Sequence, residues 1–480
     1  MIETPAGISD SGGGVQCSAA TRRREAWIAA GILLLILNAV FFPFLWGKKT
    51  LLASSLAPSI LPTGALYSSP VRSTRLLDPG SPAWQFEPSF ALTHREYVSE
   101  ANAPLWNPYR AFGTPFAATM QPQPFYPLTI LTSLAPGPRT LDIFLILRIF
   151  LAGLFAYLFF RLFFSFFPAL SGAISLMMCG YFMVYLNISH LSVDVLIAAV
   201  FYSVERLLRK PALQSILLVA CVFFVTVLGG MPESDFLLWG YAYAYALFRL
   251  ITAAELRPNW VKCAKALGLA TVLGLSWSAF LIVPFLELMR VSFDVHQFHN
   301  IGAFAGLQHT RLHGSGYVLL RILVSYLAPL LEGPPYQNIF SKFSGYNGLN
   351  AYFGTVSATL ALVAMFVTIR EAICRRFHST TYLGIFFFTS SVLFWMKKFG
   401  SVAVNWIGRL PIFSLILYYK YLEVLQAMAI ASLAAIGCSY LLDRRVSAKW
   451  IVLPVCTVLL GLVVVLIKTF SQLTQPDTVN

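Results

Sequence analysis

The run "AWIAAGILLLILNAVFFPFLWG" (Ala26–Gly47) contains no charged residue and follows Arg22, Arg23, Arg24 and Glu25. About 20 consecutive apolar residues are what a helix needs to cross the hydrocarbon core of a bilayer. The run is long for a signal-peptide core and lacks a small-residue cleavage site, so it reads as a retained first span. The Gly- and Ser-rich residues 1–25 before it read as a disordered cytosolic tail.

Outward from this run the chain stays apolar. Of its 480 residues 58% are hydrophobic, 15% aromatic and only 11% charged, with mean hydropathy +0.71. Soluble domains carry about 25% charged residues. A multi-pass membrane protein is therefore expected. Further spans are predicted at 141–163, 168–189, 193–208, 211–229, 235–252, 264–289, 350–369, 380–396, 414–440 and 450–468, about eleven transmembrane helices with the first. The formal charge of +14 belongs to connections beside lipid headgroups and excludes nucleic acid as a partner. The seven cysteines are scattered and form no CxxC pair, so neither a disulfide framework nor a zinc site is expected.

Short connections at Arg206–Lys210, Arg249–Lys265, Arg370–Arg376 and Arg444–Lys449 are dense in Lys and Arg. The positive-inside rule puts them in the cytoplasm with the N-terminus. Residues 48–140 and 290–349 then form two long external loops, the C-terminal tail 471–480 is external, and 26–470 is one transmembrane domain. "GYVLLRILVSYLAPLLEG" (Gly316–Gly333) is apolar but short, with Arg321 inside it, and reads as an interfacial or re-entrant helix. No internal repeat is evident.

The first external loop carries the chemistry. It holds Asp78, Glu87, Glu96 and Glu100, then "NAPLWNPYRAFGTPFAATMQPQPFYPLTIL" (Asn102–Leu131), which has six prolines, six aromatic residues and one charge. Glu96 and Glu100 sit four apart on a solvated helix face. Asp78 and Glu87 lie among prolines and rings, where a carboxyl group of raised pKa can serve as a base. The Pro-rich stretch is expected to be a stiff structural lid on the external end of the bundle, built on Trp106, Asn107, Pro108, Gly113, Pro115, Gln121 and Tyr126. Proline removes backbone freedom and Gly113 permits a tight turn.

Other polar residues stand out against the apolar background. Arg148 lies within a span, where a cation needs a partner or a cavity. His190 follows a span. Glu233 in "GGMPESDF" is an acid just beyond one, placed to orient an acceptor or to take a divalent cation, Mg or Mn. Lys420 stands among Tyr418, Tyr419 and Tyr421 at the start of another. His296, His299, His309 and His313 match no closed metal site. No Walker A or Rossmann fingerprint occurs, so a transfer reaction would need an activated, lipid-borne donor.

"PLWNPYRAFGTPFAATMQPQPFYPL", with Asp78 ahead of it, resembles the signature of the bacterial YfhO-like membrane proteins of the GT-C glycosyltransferase superfamily. "GGMPESDF" is similar to a Gly-Gly-His-Pro-Glu turn of that family, with Met231 in place of the His. The resemblance implies an all-α, GT-C-like integral membrane bundle in a bacterial inner membrane. It implies an inverting hexosyl- or pentosyltransferase that moves a sugar from a polyprenyl-phosphate donor to a lipid, glycan or protein acceptor on the external face. Asp78 would be the general base, assisted by Glu87, and Arg148, Lys420 and His190 would bind the donor phosphate. A lipid-glycan flippase, or a non-catalytic subunit of an envelope-glycan assembly system, is the alternative.

Overall fold

The computed structural model describes residues 19–56, 82–110, 112–292, 352–398 and 400–443, with separate helical positions between 452 and 467. Asp78, the four loop histidines and the segment 316–333 lie outside the described residues.

The described chain is a helix bundle. Among the described residues six helices are long and apolar enough to cross a membrane: Pro138–Phe160, Phe166–Val184, Arg257–Val291, Thr355–Ile373, Ser379–Lys398 and Lys420–Leu442. We number the principal helices α1 (Ala19–Val40), α2 (Glu87–His94), α3 (Pro127–Ser133), α4 (Pro138–Phe160), α5 (Phe166–Met177), α6 (Gly180–Val184), α7 (Leu191–Asp194), α8 (Ile197–Arg209), α9 (Leu213–Leu228), α10 (Pro232–Thr252), α11 (Trp260–Val291), α12 (Thr355–Ile373), α13 (Ser379–Lys398) and α14 (Tyr418–Leu442). The first helix starts earlier than the apolar run and stops at Val40. Pro43 opens a separate short turn, Phe42–Leu45, as a ring without a backbone donor requires.

Helix α14 is the central strut, packed against α5, α12 and α13. Small residues let the backbones meet, as membrane bundles require. A Cβ at Gly437 would run into the Leu360 carbonyl of α12, and one at Gly172 would strike Phe160 and Ala435. On the opposite flank α9 lies between α8 and α11. The outward faces of α1 and α11 are studded with exposed Leu34, Leu35, Leu269, Val272, Phe280 and Val283, an apolar surface suited to lipid.

The span expected at 168–189 is found at Phe166–Val184 with a break at Met178–Cys179, and the one expected at 193–208 is divided between two shorter helices. The chain from 166 to 209 is cut into α5, α6, α7 and α8, and α8 has 13 residues, about 20 Å of rise. Irregular backbone at the end of such a bundle has to find its hydrogen bonds within the protein.

The two ends of the bundle differ. One gathers basic connections. Arg161 pairs with Glu25. Glu205, with a fully buried side chain, accepts from Arg209 Nε at 2.8 Å, Arg249 Nη2 at 3.1 Å and Tyr245 OH at 2.8 Å. Phe163 lies under both arginines. The other end carries residues 47–56, the 82–133 segment and the irregular turns around 185–194, 230–235 and 400–417.

Candidate functional site

The site is built where this second end closes. The strand leaving α1 is tied to the bundle by three side chains. Asp142 Oδ1 accepts from Leu51 N at 2.8 Å and Thr50 Oγ1 at 3.0 Å. Asn187 Nδ2 donates to Leu51 O at 2.5 Å. Glu87 Oε1 accepts from Ala53 N at 2.6 Å. Glu87 is thus held by backbone amides and seats the turn Ala53–Leu56. Ala53 packs on Ala83, so the segment that contains Asp78 departs and returns at adjacent points.

The returning chain, Pro82–Phe86, runs into α2, and Phe86 reaches the core. Its ring and that of Phe144 lie 5.7 and 4.8 Å from the Arg148 guanidinium carbon. Arg148 is fully buried. Its Nη2 donates to Leu186 O at 2.5 Å, and its Nη1 to Ile188 O at 3.2 Å and Ser192 Oγ at 3.0 Å. Among the described residues no carboxylate is hydrogen-bonded to the guanidinium, which is closed off from solvent. It satisfies the carbonyls freed where the helix is broken and stacks on two rings.

The turn that Arg148 supports carries His190 and α7. His190 Nε2 stands 3.6 Å from Asp194 Oδ2, which also accepts from Tyr181 OH at 2.8 Å. The imidazole is walled by Tyr185 and Tyr421, with ring centroids 4.8 and 5.5 Å away. Lys420 Nζ lies over those same two rings, at 5.5 and 5.2 Å. His190 and Asp194 sit in the connection outside the six long apolar helices. Burial first, then the Lys420 and Arg148 charges, hold the imidazole well below its ordinary pKa. Burial pushes the Asp194 carboxyl up to about 7, against Ser234, the Tyr181 bond and the same two cations. Glu233, in the first turn of α10, accepts from Leu417 N at 2.9 Å, and Tyr421 OH approaches Met231 Sδ at 3.9 Å. The start of α10 is thereby pinned to the start of α14.

The Pro-rich segment divides in two. Trp106–Asn107 and Thr114–Pro115 pair as a two-stranded hairpin, Trp106 opposite Pro115 and Asn107 opposite Thr114. Gly113, at φ +111°, lies against the Trp106 ring, where a Cβ has no room. This hairpin stands out from the bundle, with Trp106, Pro108, Tyr109 and Phe112 exposed. The packed part is the second half. Phe116, Met120, Gln123 and Tyr126 are buried. Gln123 Nε2 donates to Ser189 O at 2.5 Å, beside His190. Gln121 accepts from Gln85 at 2.6 Å. Gly230, at φ +75°, passes so close to Met120 O that a side chain there would collide. The wedge therefore sits on the His190 turn, whereas the hairpin carrying Trp106, Asn107, Pro108 and Gly113 projects away from it.

Four residues singled out from the sequence thus converge: Arg148, His190, Glu233 and Lys420. Glu87 lies to one side of them, across Phe86. Asp194, Tyr181, Tyr185 and Tyr421 belong to the cluster and were not singled out. Asp194 had a signal, a lone carboxyl in the apolar "LSVDVLIAA" four residues after His190. Among the described residues no three His, Cys, Asp or Glu side chains come together as a metal site. Glu87 and Glu233 each accept from a backbone amide, Ala53 N and Leu417 N respectively. The six described cysteines are free.

No family model matches the sequence, and no curated protein matches it. Among solved structures the chain is similar to the Archaeoglobus fulgidus oligosaccharyltransferase in its apo form, at 12% identity and TM-score 0.44, over 94% of this chain and 55% of that one. It is similar also to the oligosaccharyltransferase AglB of Archaeoglobus fulgidus in complex with an inhibitory peptide and a dolichol-phosphate, at 12% identity and TM-score 0.44, over 95% of this chain and 57% of that one. The chain spans little more than half the length of these proteins.

Proposed function

We propose that the protein is a membrane glycosyltransferase that takes a sugar from a polyprenyl-phosphate donor and passes it to a lipid, glycan or protein acceptor at the end of the bundle bearing the Pro-rich wedge. The observation that carries this reading is the convergence there of Arg148, His190, Glu233 and Lys420 from four separate segments, under a wedge whose sequence resembles the YfhO-like signature. The segment containing Asp78 returns to the bundle through Phe86, which stacks on Arg148.

In this reading Asp78 takes the proton of an acceptor hydroxyl. The acceptor oxygen attacks the anomeric carbon as the bond from that carbon to the phosphate oxygen breaks. Polyprenyl phosphate leaves with the electron pair, and the configuration inverts. Lys420, partly exposed at the mouth of the cluster, meets the phosphate charge. Arg148 acts through the turn that it holds, placing His190 beside Lys420. Glu87 and Glu233 shape the walls by anchoring Ala53 and Leu417. No step is routed through a metal.

The test is transfer from a synthetic polyprenyl-phosphate hexose by the purified chain in detergent. Asp78→Asn keeps the shape and removes the basicity, so turnover should fall by at least about 100-fold while donor binding persists. Near-normal transfer by Asp78→Asn would remove Asp78 as the base. An inactive wild type that still binds the donor would favour the flippase or assembly-subunit reading.

A further inference from the structure

Beside the wedge, on the flank formed by α9, α10 and α11, lies a cleft of about 380 Å³. Phe223, Trp239, Leu275 and Leu286 are among its apolar walls, and Asp235 is the one charged residue that lines it. Leu275 and Leu286 are also exposed on the outer face of α11, so the cleft opens on the surface that lipid would cover. Its other hydroxyls are spent on each other, Tyr243 OH and Thr271 Oγ1 standing 2.9 Å apart. Asp235 Oδ1 is buried and has no hydrogen-bond partner among the described residues. A buried carboxylate oxygen without a donor is costly, which marks a place for a donor from outside the chain.

Gly240 also lines the cleft, in the interior of α10. Most buried glycines of this bundle are needed because a neighbour presses on them. A Cβ at Gly240 would meet nothing within 4 Å. Glycine is a poor residue for a helix interior, and no close approach of protein demands this one. Gly240 is exposed, and its open side adds to the cleft, which a larger side chain there would fill.

We infer that this cleft is a binding site for a membrane lipid with an ammonium head group, its chain between α10 and α11 and its head group donating to Asp235. The sign of the charge selects the occupant. In its ionised form the Asp235 carboxyl attracts an ammonium and repels a phosphate. None of the residues lining the cleft is a cation that would bind a phosphate. The site is therefore separate from the Lys420 cluster, where an anionic head group is met by positive charge.

The full chain, reconstituted with equal phosphatidylethanolamine and phosphatidylglycerol and then extracted gently, can be weighed intact with its retained lipid. The wild type should retain phosphatidylethanolamine over phosphatidylglycerol by about tenfold, the scale of one charge-assisted hydrogen bond. Asp235→Asn should bring that ratio near one. Gly240→Leu, which fills the cleft while favouring the helix, should release the lipid of either kind. Equal retention by the wild type, an unchanged ratio in Asp235→Asn, or undiminished lipid in Gly240→Leu would each overturn the assignment. So would displacement of phosphatidylethanolamine from the wild type by added polyprenyl phosphate. No sugar transfer is measured, so the outcome is independent of the catalytic reading.

Discussion

Arg148 gives its hydrogen bonds to Leu186 O, Ile188 O and Ser192 Oγ, and its flat face to Phe86 and Phe144. Three functions meet in that one side chain: it satisfies a broken helix, places His190, and holds the segment Pro82–Phe86 through the Phe86 ring. Removing it leaves the buried Leu186 carbonyl and the Ser192 hydroxyl short of a donor, each at roughly 1–3 kcal/mol. Arg148→Met should therefore lower the melting temperature and transfer together. Arg148→Lys should recover part of both, because an ammonium restores the charge but not the planar fork. Thermal unfolding in detergent, set beside donor binding, checks this. A Met variant as stable as the wild type would show that the turn holds without the guanidinium. The identity of Arg148 as unusual was legible from its place in an apolar run. Its partners were not, because they are main-chain oxygens some 40 residues away, and every residue has one.

At the scale of elements, the segments 166–177, 180–184, 191–194 and 197–209 show where sequence reading falls short. All are apolar, and hydropathy counts apolar residues without registering where the hydrogen-bond ladder breaks. The break is affordable only because α4 brings Arg148 and α14 brings Tyr421 and Lys420 to the gap. A second contact between elements lies at the far end, where Glu205 of α8 binds Arg249 of α10 and Arg209. With the Arg249 side chain only 4% exposed, Glu205→Gln leaves a buried cation whose remaining counter-charge is the exposed Glu255, 3.3 Å from Arg249 Nη2. The expected loss is about 3–5 kcal/mol of stability. Glu205→Met with Arg249→Met should regain most of it, since neither charge is then stranded. Unfolding of the single and double variants decides the matter. A double variant as unstable as the single one would place the effect in packing rather than in charge.

At the scale of the molecule, the described connections dense in Lys and Arg, Arg206–Lys210, Arg249–Lys265 and Arg370–Arg376, share one end of the bundle, while the wedge and the His190 cluster share the other. That is the arrangement expected if the basic end faces the cytoplasm. We predict that a cysteine at Glu100, in a background without other reactive cysteines, is labelled by an impermeant reagent from outside intact cells. Labelling only after the membrane is opened would reverse the orientation and place the cluster on the cytoplasmic side.

The sequence by itself determined the solvent of this fold. Long uncharged runs can be satisfied only as helices in a bilayer, and one side of the connections carries the cations. It also marked the residues that an apolar setting makes costly, Arg148, His190, Glu233 and Lys420, and the Pro-rich segment that cannot be a helix. Only the tertiary structure decided that these four meet, that Asp194 and three tyrosines join them, and that Gln121 and Tyr126 belong to the seated half of the lid while Trp106 and Gly113 belong to a projecting hairpin. The physical reason is the same in each case. The cost of burying a polar group is a property of the residue and its neighbours in sequence. The partner that relieves the cost is a property of distant segments brought together, and main-chain carbonyls, which supply much of that relief here, leave no mark in the order of the side chains.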